Sequence, residues 1–309
     1  MAQSSPPVLR LGTRGSPLAL AQAGMVRDAL AAAHGLVPER IAIEVIRTTG
    51  DRITGSLADA GGKGLFTKEI EEALGGGAID LAVHSSKDLP AELPPGLELA
   101  AFLEREDPRD AFVSRKAATL DALPRGASVG TSSPRRQALL LRIRPDLRVV
   151  ALRGNVETRL RRLDEGVADA TLLALAGLKR LGRQADATAI LAIEEFLPAV
   201  GQGAIGIEIR AADTKTQALL APINHAATAA ALTAERALLA ALEGTCRTPI
   251  AGHATVEGNR LKLRGMIVKP DGSQTFEATR AGAVGDAAAL GAEAGRELKA
   301  RAGPDFFTV

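Results

Sequence analysis

The fold is decided by the stretch VLRLGTRGSPLAL at residues 8–20, where a short apolar run ends in a glycine-bounded loop and a helical pattern follows. Serine satisfies free N–H groups at a helix start and proline is favoured at the first helical position, so Ser16 and Pro17 mark that start. The stretch GTSSP at residues 130–134 repeats this device after another apolar run. Strands that lead into helices are typical of α/β domains, and the two stretches therefore predict two such domains with largely parallel sheets.

The same alternation continues outward from both stretches. Strands are predicted at residues 8–11, 41–46, 79–83, 111–114, 128–130, 148–152 and 170–174. Helices are predicted at residues 17–33 and 67–74 and from Pro134 and Val156. A further strand at 205–209 follows the stretch LPAVGQG at residues 197–203 and could return to the first sheet.

The C-terminal part of the chain has another character. An alanine-rich helix is predicted at residues 226–243, and strands are predicted at 250–256, 260–268 and 273–280. The turn sequences Gly258-Asn259 and Pro270-Asp271-Gly272 separate these strands, which predicts an antiparallel meander. We expect three domains: residues 1–103 with 201–222, residues 104–200, and residues 223–309.

Composition narrows the class of protein. The 309 residues suffice for two or three domains, and 46% apolar with 24% charged residues is ordinary for a globular protein. The net charge of +2 and the lack of Trp and Tyr speak against a basic, aromatic nucleic-acid surface. The single cysteine excludes an internal disulfide and a zinc site built on several thiolates.

The sequence also leads to an expectation about the cellular location of the protein. No apolar run is long enough for a membrane span, and the first ten residues show no export signal. We therefore expect a cytoplasmic protein that binds no membrane and keeps its thiol reduced. We expect no metal site, since the four histidines are too scattered to form a ligand cluster.

Arginines are concentrated between residues 130 and 165. Nine arginines stand against four acidic residues there, so the local balance is +5 in a chain of +2. A solvated basic helix face is the ordinary explanation of such a cluster. A helix capped at Ser133, however, places Arg135 and Arg136 in its first turn, where the helix dipole disfavours cations and free N–H groups attract anions. This placement predicts an anionic ligand.

Other arginines stand at corresponding places. Arg153 follows a predicted strand, Asn155 can cap the next helix, and Arg159 lies on that helix. Arg14 lies in the matching loop of the first domain. Because open α/β sheets bind ligands beyond the carboxyl ends of their strands, we expect these arginines to converge on one anionic ligand.

The stretch LAVHSSKDLP at residues 81–90 carries a strand of the buried type straight into a polar group. Surface loops are polar in any protein, which is an adequate explanation of Asp88 taken alone. As a catalyst, a lone carboxylate suits a cationic intermediate, since an ion pair at about 4 Å is worth roughly 4 kcal/mol at an effective dielectric constant near 20. We expect His84 to be structural.

Two further segments of the sequence each allow two interpretations. The stretch GGKGLF at residues 61–66 is either a mobile lid or an ordinary turn, and it matches neither a P-loop nor a dinucleotide motif. A lone cytosolic cysteine is usually a small core residue. Cys246, however, lies in the polar stretch GTCRTP at residues 244–249, where Arg247 could favour its thiolate. Cys246 could therefore be a covalent attachment point or a nucleophile as well as a core residue.

Eight separated motifs, in order along nearly the whole chain, resemble the porphobilinogen deaminase (hydroxymethylbilane synthase) family. They are LGTRGSPLA (11–19), TTGD (48–51), GGKGLF (61–66), HSSKDLP (84–90), SSPRR (132–136), LRGNV (152–156), GQGA (201–204) and GTC (244–246). The resemblance implies two doubly wound α/β domains like those of periplasmic binding proteins, and a third α/β domain with a three-stranded antiparallel sheet. It also implies a transferase of tetrapyrrole and haem biosynthesis, which condenses four porphobilinogen molecules with loss of ammonia and releases hydroxymethylbilane.

The resemblance further implies a role for each matching residue. Asp88 would be the catalytic carboxylate, and Cys246 would hold a dipyrromethane cofactor through a thioether. The cofactor would also be bound by the side chains of Arg135, Arg136, Arg153, Arg159, Lys87, Ser85 and Ser133. The substrate would be bound by Arg14, Arg153 and Arg159. Lys63 and Phe66 would belong to the lid, and Asp51 would assist.

Two functions of other classes stay open from the residues. The arginines could bind RNA or another polyanion, against which the missing Trp and Tyr count. Paired α/β domains could also form a non-catalytic, two-lobed anion-binding protein, which would leave Cys246 without a role. For the enzyme, we expect a monomer whose partner is the small molecule porphobilinogen, and no nucleic acid.

Overall fold

The structure, a computed structural model, describes residues 8–52, 66–244, 248–303 and 305–307. The chain divides into two compact units. The first unit comprises Met1–Arg105 with Ala204–Ala229, and the second comprises Glu106–Gly203 with Ala230–Val309.

Strands and helices alternate through most of the described chain. The strands are β1 (Leu9–Thr13), β2 (Ile41–Val45), β3 (Leu81–Ser85), β4 (Leu97–Phe102), β5 (Asp110–Ser114), β6 (Ser128–Gly130), β7 (Arg148–Val150), β8 (Ala170–Ala174), β9 (Ala189–Ile190), β10 (Ile205–Arg210), β11 (Ile250–Glu257), β12 (Arg260–Val268) and β13 (Thr275–Ala283). The α-helices are α1 (Pro17–His34), α2 (Thr49–Arg52), α3 (Lys68–Gly75), α4 (Pro134–Ile143), α5 (Val156–Asp164), α6 (Leu175–Arg180), α7 (Thr214–Leu220), α8 (Ala226–Ala241) and α9 (Ala287–Ala302). Each predicted element has a counterpart, whereas β4, β9, α2, α6, α7 and α9 were not assigned bounds from the sequence.

The first unit is built on a five-stranded sheet in the order β2-β1-β3-β10-β4. β1 pairs parallel with β2 and β3, whereas β10 runs antiparallel to both β3 and β4. The predicted return of the 205–209 strand to the first sheet is confirmed. The prediction of a largely parallel sheet is confirmed, because β3 and β4 are both antiparallel to β10 and therefore run in the same direction as β1 and β2. Within this sheet, β10 runs against the other four strands.

The second unit holds the other two sheets formed by the described residues. Its five-stranded sheet, in the order β7-β6-β8-β5-β9, repeats the mixed arrangement: β6 is parallel to β7 and β8, and β5 is antiparallel to β8 and β9. β11, β12 and β13 form the predicted antiparallel meander. Phe112, Leu139 and Met266 share one buried core, so the meander packs against the five-stranded part. The predicted α/β fold class is thereby confirmed.

The helices that follow β1, β6 and β7 begin as the sequence predicts. The hydroxyl of Ser16 accepts a hydrogen bond from the backbone N–H three residues further on, with Pro17 at the first helical position. Ser133 and Pro134 do the same for α4, and the Asn155 side chain caps α5. Because each cap fixes the entry of the chain into its helix, it also fixes the loop before that helix.

The turn between β12 and β13 is anchored against α4. Gly272 in this turn has φ +78°, and a Cβ atom there would lie 2.4 Å from the backbone nitrogen of Arg142 on α4. Only glycine tolerates both the positive φ and this close approach. The meander thus supports the helix that carries the arginines of the second unit.

Candidate active site

β3 carries the first part of the candidate site. The strand is buried from Leu81 to His84, and the chain then makes a 3-10 turn, Ser86–Asp88, in which Asp88 is exposed. The N–H of Ser86 holds this turn by donating to the carbonyl of Ala204 at 3.0 Å. The end of this strand therefore presents the carboxylate of Asp88 to solvent, where a ligand could reach it.

The side chain of Asp88 lines a small cavity of about 60 Å³ in the first unit. Arg14 from the loop after β1, Ser85 at the end of β3 and Phe66 line the same cavity. The guanidinium carbon of Arg14 lies 4.3 Å from the centroid of the Phe66 ring, which is a cation–π contact. The structure thus brings together four predicted site residues, while Lys87 is half-buried in the turn next to Asp88.

Two polar pairs support this strand end. Nε2 of His84 lies 3.0 Å from Oε2 of Glu208 on β10, and both side chains are buried, which fits the structural role expected of His84. The hydroxyl of Ser85 and the amide of Gln22 on α1 exchange two hydrogen bonds of 2.9 and 3.0 Å. Sequence reasoning missed both partners. Gln22 left a signal, since it stands four residues before buried Val26 on the apolar face of α1.

Asp110, Arg135 and Arg136 form a buried ion cluster in the second unit, with exposed fractions of 0%, 4% and 5%. Nη2 of Arg135 donates to Oδ2 of Asp110 at 2.8 Å. Arg136 donates to Oδ1 of Asp110 from Nε at 2.9 Å and from Nη2 at 2.7 Å. Burial opposes ionisation of Asp110, but the charges of Arg135 and Arg136 outweigh it and lower the pKa of Asp110 to about 2.

This cluster changes the interpretation of the first turn of α4. The sequence pattern predicts that both arginines hold an anionic ligand, but in the structure the anion they hold is the protein's own Asp110. Asp110 lies 25 residues before Arg135, so no local pattern indicated the pairing. Contact of these arginines with cofactor carboxylates stays a prediction.

The loop after β7 presents two more predicted arginines, Arg153 and Arg159, both half-buried. Between them, Gly154 has φ +111°, and a Cβ atom there would lie 2.6 Å from Cγ2 of Thr158, so only glycine fits. Nε of Arg159 donates to the carbonyl of Gly154 at 2.9 Å. A tight loop flanked by two arginines is suited to binding carboxylates.

Two family models match the sequence. The model described as porphobilinogen deaminase, dipyromethane cofactor binding domain, matches residues 9–218, and the model of the porphobilinogen deaminase C-terminal domain matches residues 229–300. The chain belongs to the porphobilinogen deaminase family. The resemblance seen in the eight motifs is therefore confirmed.

Two relatives from Nitrobacter agree with the family models. The porphobilinogen deaminases of Nitrobacter hamburgensis and Nitrobacter winogradskyi are each 62% identical to this chain over 300 residues, which is 97% of this chain and 95% of theirs. Among solved structures, the periplasmic substrate-binding protein of an ABC transporter from Coxiella burnetii is 16% identical with a TM-score of 0.44. That match covers 70% of this chain and 92% of the Coxiella chain.

Membership of the porphobilinogen deaminase family confirms the predicted enzyme class, a transferase with hydroxymethylbilane synthase activity in tetrapyrrole biosynthesis. It also confirms dipyrromethane as the cofactor of this family's binding domain. Within the described ranges, no helix combines the length and the apolar character that a membrane span needs.

The donors of the second unit fit a cofactor that carries carboxylates. Nε of Arg135 is buried and has no hydrogen-bond partner among the described residues. Arg136 fills its Nε and both Nη positions with Asp110 and with the carbonyl of Leu172. The hydroxyl of Ser133 caps α4. Arg135 is therefore the member of this cluster with a donor left for a ligand carboxylate.

Sequence reasoning also missed Arg180, the last residue of α6. Its Nη2 donates to the carbonyl of Gly203 at 2.6 Å, and its Nε is buried without a hydrogen-bond partner in the described part of the chain. Burial lowers the pKa of Arg180 to about 10. A signal was available, because this arginine closely follows the apolar run at residues 170–178, where a cation is unexpected.

Some predicted positions lie outside the described residues. They are Cys246, Lys63 and the side chain of Asp51. Their assigned roles therefore stay predictions.

Proposed function

We propose that this chain condenses four porphobilinogen molecules head to tail with loss of ammonia, starting from a dipyrromethane primer, and releases hydroxymethylbilane by hydrolysis. The observation that carries the proposal is the exposed carboxylate of Asp88, which shares one cavity with Arg14. A carboxylate suits the positive charge that develops on the substrate, and a guanidinium suits the carboxylates of the substrate. The family assignment supports the same reaction.

Asp88 is the proposed catalytic residue. Departure of ammonia leaves the substrate ring electron-poor and positively charged, and each coupling must then release a proton. A carboxylate at about 4 Å from such a charge contributes roughly 4 kcal/mol at an effective dielectric constant near 20, which is about a thousandfold in rate if it acts only in the transition state. The carboxylate oxygens can also accept the proton. The turn Ser86–Asp88 holds this group in place.

The arginines are proposed to bind carboxylates. Each porphobilinogen unit carries an acetate and a propionate, so negative charge accumulates with every unit added. Guanidinium forks bind such groups at two points and thereby orient the rings. We assign the substrate carboxylates to Arg14, Arg153 and Arg159. We assign the cofactor to Arg135, Arg136, Arg153, Arg159, Lys87, Ser85 and Ser133.

The cofactor is proposed to be attached to Sγ of Cys246 by a thioether. The chain has one cysteine. Cytosolic thiols would reduce a disulfide but do not cleave a thioether. When bound, dipyrromethane supplies the pyrrole position to which the first substrate unit is joined. We also propose that the enzyme is cytoplasmic and that it is a monomer. Light scattering on the purified protein would test the oligomeric state.

Intact-mass measurement tests the attachment. We expect the purified wild-type protein to be heavier than its sequence by two linked pyrrole units, and Cys246→Ala to have the mass of its sequence. Thr245→Ala, a change at the residue next to Cys246 in the sequence, is the control and should keep the added mass. An active wild-type protein with an unmodified mass would refute the attachment.

A further inference from the structure

We infer that Asp110 is a positioning residue of the cofactor site: it locks Arg135 and Arg136 into one fixed pair and leaves a single positive charge for a ligand carboxylate. The inference rests on the proposed function, because it takes the ligand to be the carboxylate-bearing cofactor. It concerns a residue outside the eight motifs that indicated the family.

Hydrogen bonds hold both guanidinium groups against Asp110. Asp110 engages one nitrogen of Arg135 and two nitrogens of Arg136, all within 2.9 Å. Nη1 of Arg135 donates to the carbonyl of Leu197 at 2.8 Å, and Nη1 of Arg136 donates to the carbonyl of Leu172 at 2.9 Å. Each guanidinium is thus held at several points, so neither side chain can change rotamer without breaking buried hydrogen bonds.

Two cations and one anion leave an excess of one positive charge in a place that water barely reaches. Burial lowers the pKa of Arg135, the charge of Asp110 opposes this, and the neighbouring charge of Arg136 adds to the lowering. A buried charge without a partner is unfavourable, so the cluster favours one additional anion. Arg135 keeps a buried Nε donor to receive it.

The place of Asp110 in the fold lets its carboxylate reach both arginines. It is the first residue of β5, and the two arginines lie in the first turn of α4. Two adjacent guanidinium groups repel each other, and the helix dipole disfavours both. The carboxylate of Asp110 offsets both the repulsion and the effect of the dipole, because it lies against both cations at once. Without it, the two guanidinium groups would keep only their hydrogen bonds to backbone carbonyls, and we expect their orientation to be less well fixed.

The chain offers a matched control. Glu235 on α8 is also fully buried in the second unit, and its carboxylate accepts hydrogen bonds from the N–H groups of Gly201 and Ala254 at 2.8 and 2.7 Å. Glu235→Gln therefore removes a buried negative charge that accepts none of the hydrogen bonds donated by Arg135 and Arg136. Any loss common to Asp110→Asn and Glu235→Gln is a loss of structure, and only the remainder belongs to cofactor positioning.

The experiment measures the fraction of purified molecules that carry the cofactor mass, KM for porphobilinogen and thermal unfolding, for wild type, Asp110→Asn, Asp110→Glu and Glu235→Gln. We expect Asp110→Asn to keep its circular dichroism spectrum but to carry the cofactor at least about tenfold less often, or to show KM raised by a similar factor, the effect of losing one charge-assisted contact. Asp110→Glu should recover part of the loss. Glu235→Gln should carry the cofactor fully.

Different outcomes would contradict the role of Asp110 and the proposed function. A folded Asp110→Asn protein with the cofactor fraction and KM of wild type would overturn the inference and leave the proposed function standing. If Asp110→Asn does not fold, Asp110→Glu decides: full occupancy with unchanged KM, although the carboxylate has moved by one methylene, would overturn it. A wild-type protein without added mass would overturn the proposed function as well.

Discussion

Two aspartates at the ends of strands have opposite environments. Asp88 follows β3 of the first unit, is exposed, and shares a cavity with Arg14. Asp110 begins β5 of the second unit, has no exposed surface, and is held by Arg135 and Arg136. A substrate can approach the first carboxylate, whereas only protein atoms contact the second.

The difference shows that a carboxylate acts on a ligand only if the fold has not already balanced its charge. The charge of Asp110 is balanced by buried cations, so its loss should first affect stability and the placement of arginines. The charge of Asp88 faces the cavity, so its loss should affect the rate and leave stability nearly unchanged. Three measurements test whether the two carboxylates differ in this way.

Turnover should change the most. Asp88→Asn should lower kcat by about a thousandfold, because the amide has the same shape but cannot stabilise a cationic transition state. Steady-state kinetics on cofactor-loaded protein would measure this, and the intact mass should show that the cofactor is retained. Glu92→Gln, an exposed carboxylate four residues further on, is the control and should leave kcat unchanged. A kcat for Asp88→Asn near that of wild type would remove Asp88 from the mechanism.

A smaller effect is expected on the pH dependence of stability. The pKa of Asp110 falls from 3.8 to about 2 on folding, so its ionised form contributes stability above pH 3.8, and this contribution is lost as the pH falls towards 2. The contribution is on the order of 2 kcal/mol.

The measurement is the free energy of unfolding in urea for wild type and Asp110→Asn, at neutral pH and near pH 2. The gap between the two proteins should narrow as the pH falls, because wild type loses the ion pairs that the variant already lacks. The gap between wild type and Glu92→Gln should stay near zero. A constant gap for Asp110→Asn would show that Asp110 is not held ionised by its arginines.

Local signals in the sequence predicted local structure well. The caps Ser16, Ser133 and Asn155 are found where expected, because each side chain bonds the backbone three residues away. The strands of the meander are found for the same reason, since turn residues with special backbone preferences separate them.

Pairings over long sequence distances could not be predicted in this way. The ion pairs of Asp110, the hydrogen bonds between Gln22 and Ser85 and the contact of His84 with Glu208 join residues 25, 63 and 124 positions apart. Such partners are chosen when strands and helices pack, and no periodicity or spacing records the choice. For the same reason the alternation of elements did not reveal the antiparallel direction of β10.

The least change is expected for the contact made by Arg14, the arginine that shares the cavity with Asp88. Phe66→Leu removes the ring under the Arg14 guanidinium, a contact worth about 0.5–1 kcal/mol, and should raise KM for porphobilinogen about two- to fivefold with kcat little changed. Phe276→Leu is the matched control, because Arg301 lies over that ring in the second unit at 4.9 Å. If both variants raise KM equally, the ring of Phe66 only stabilises the fold. A rise in KM confined to Phe66→Leu would instead show that Arg14 must be held in place to bind substrate. Such support by a ring would then matter at the exposed site around Asp88 and not at the buried cluster around Asp110.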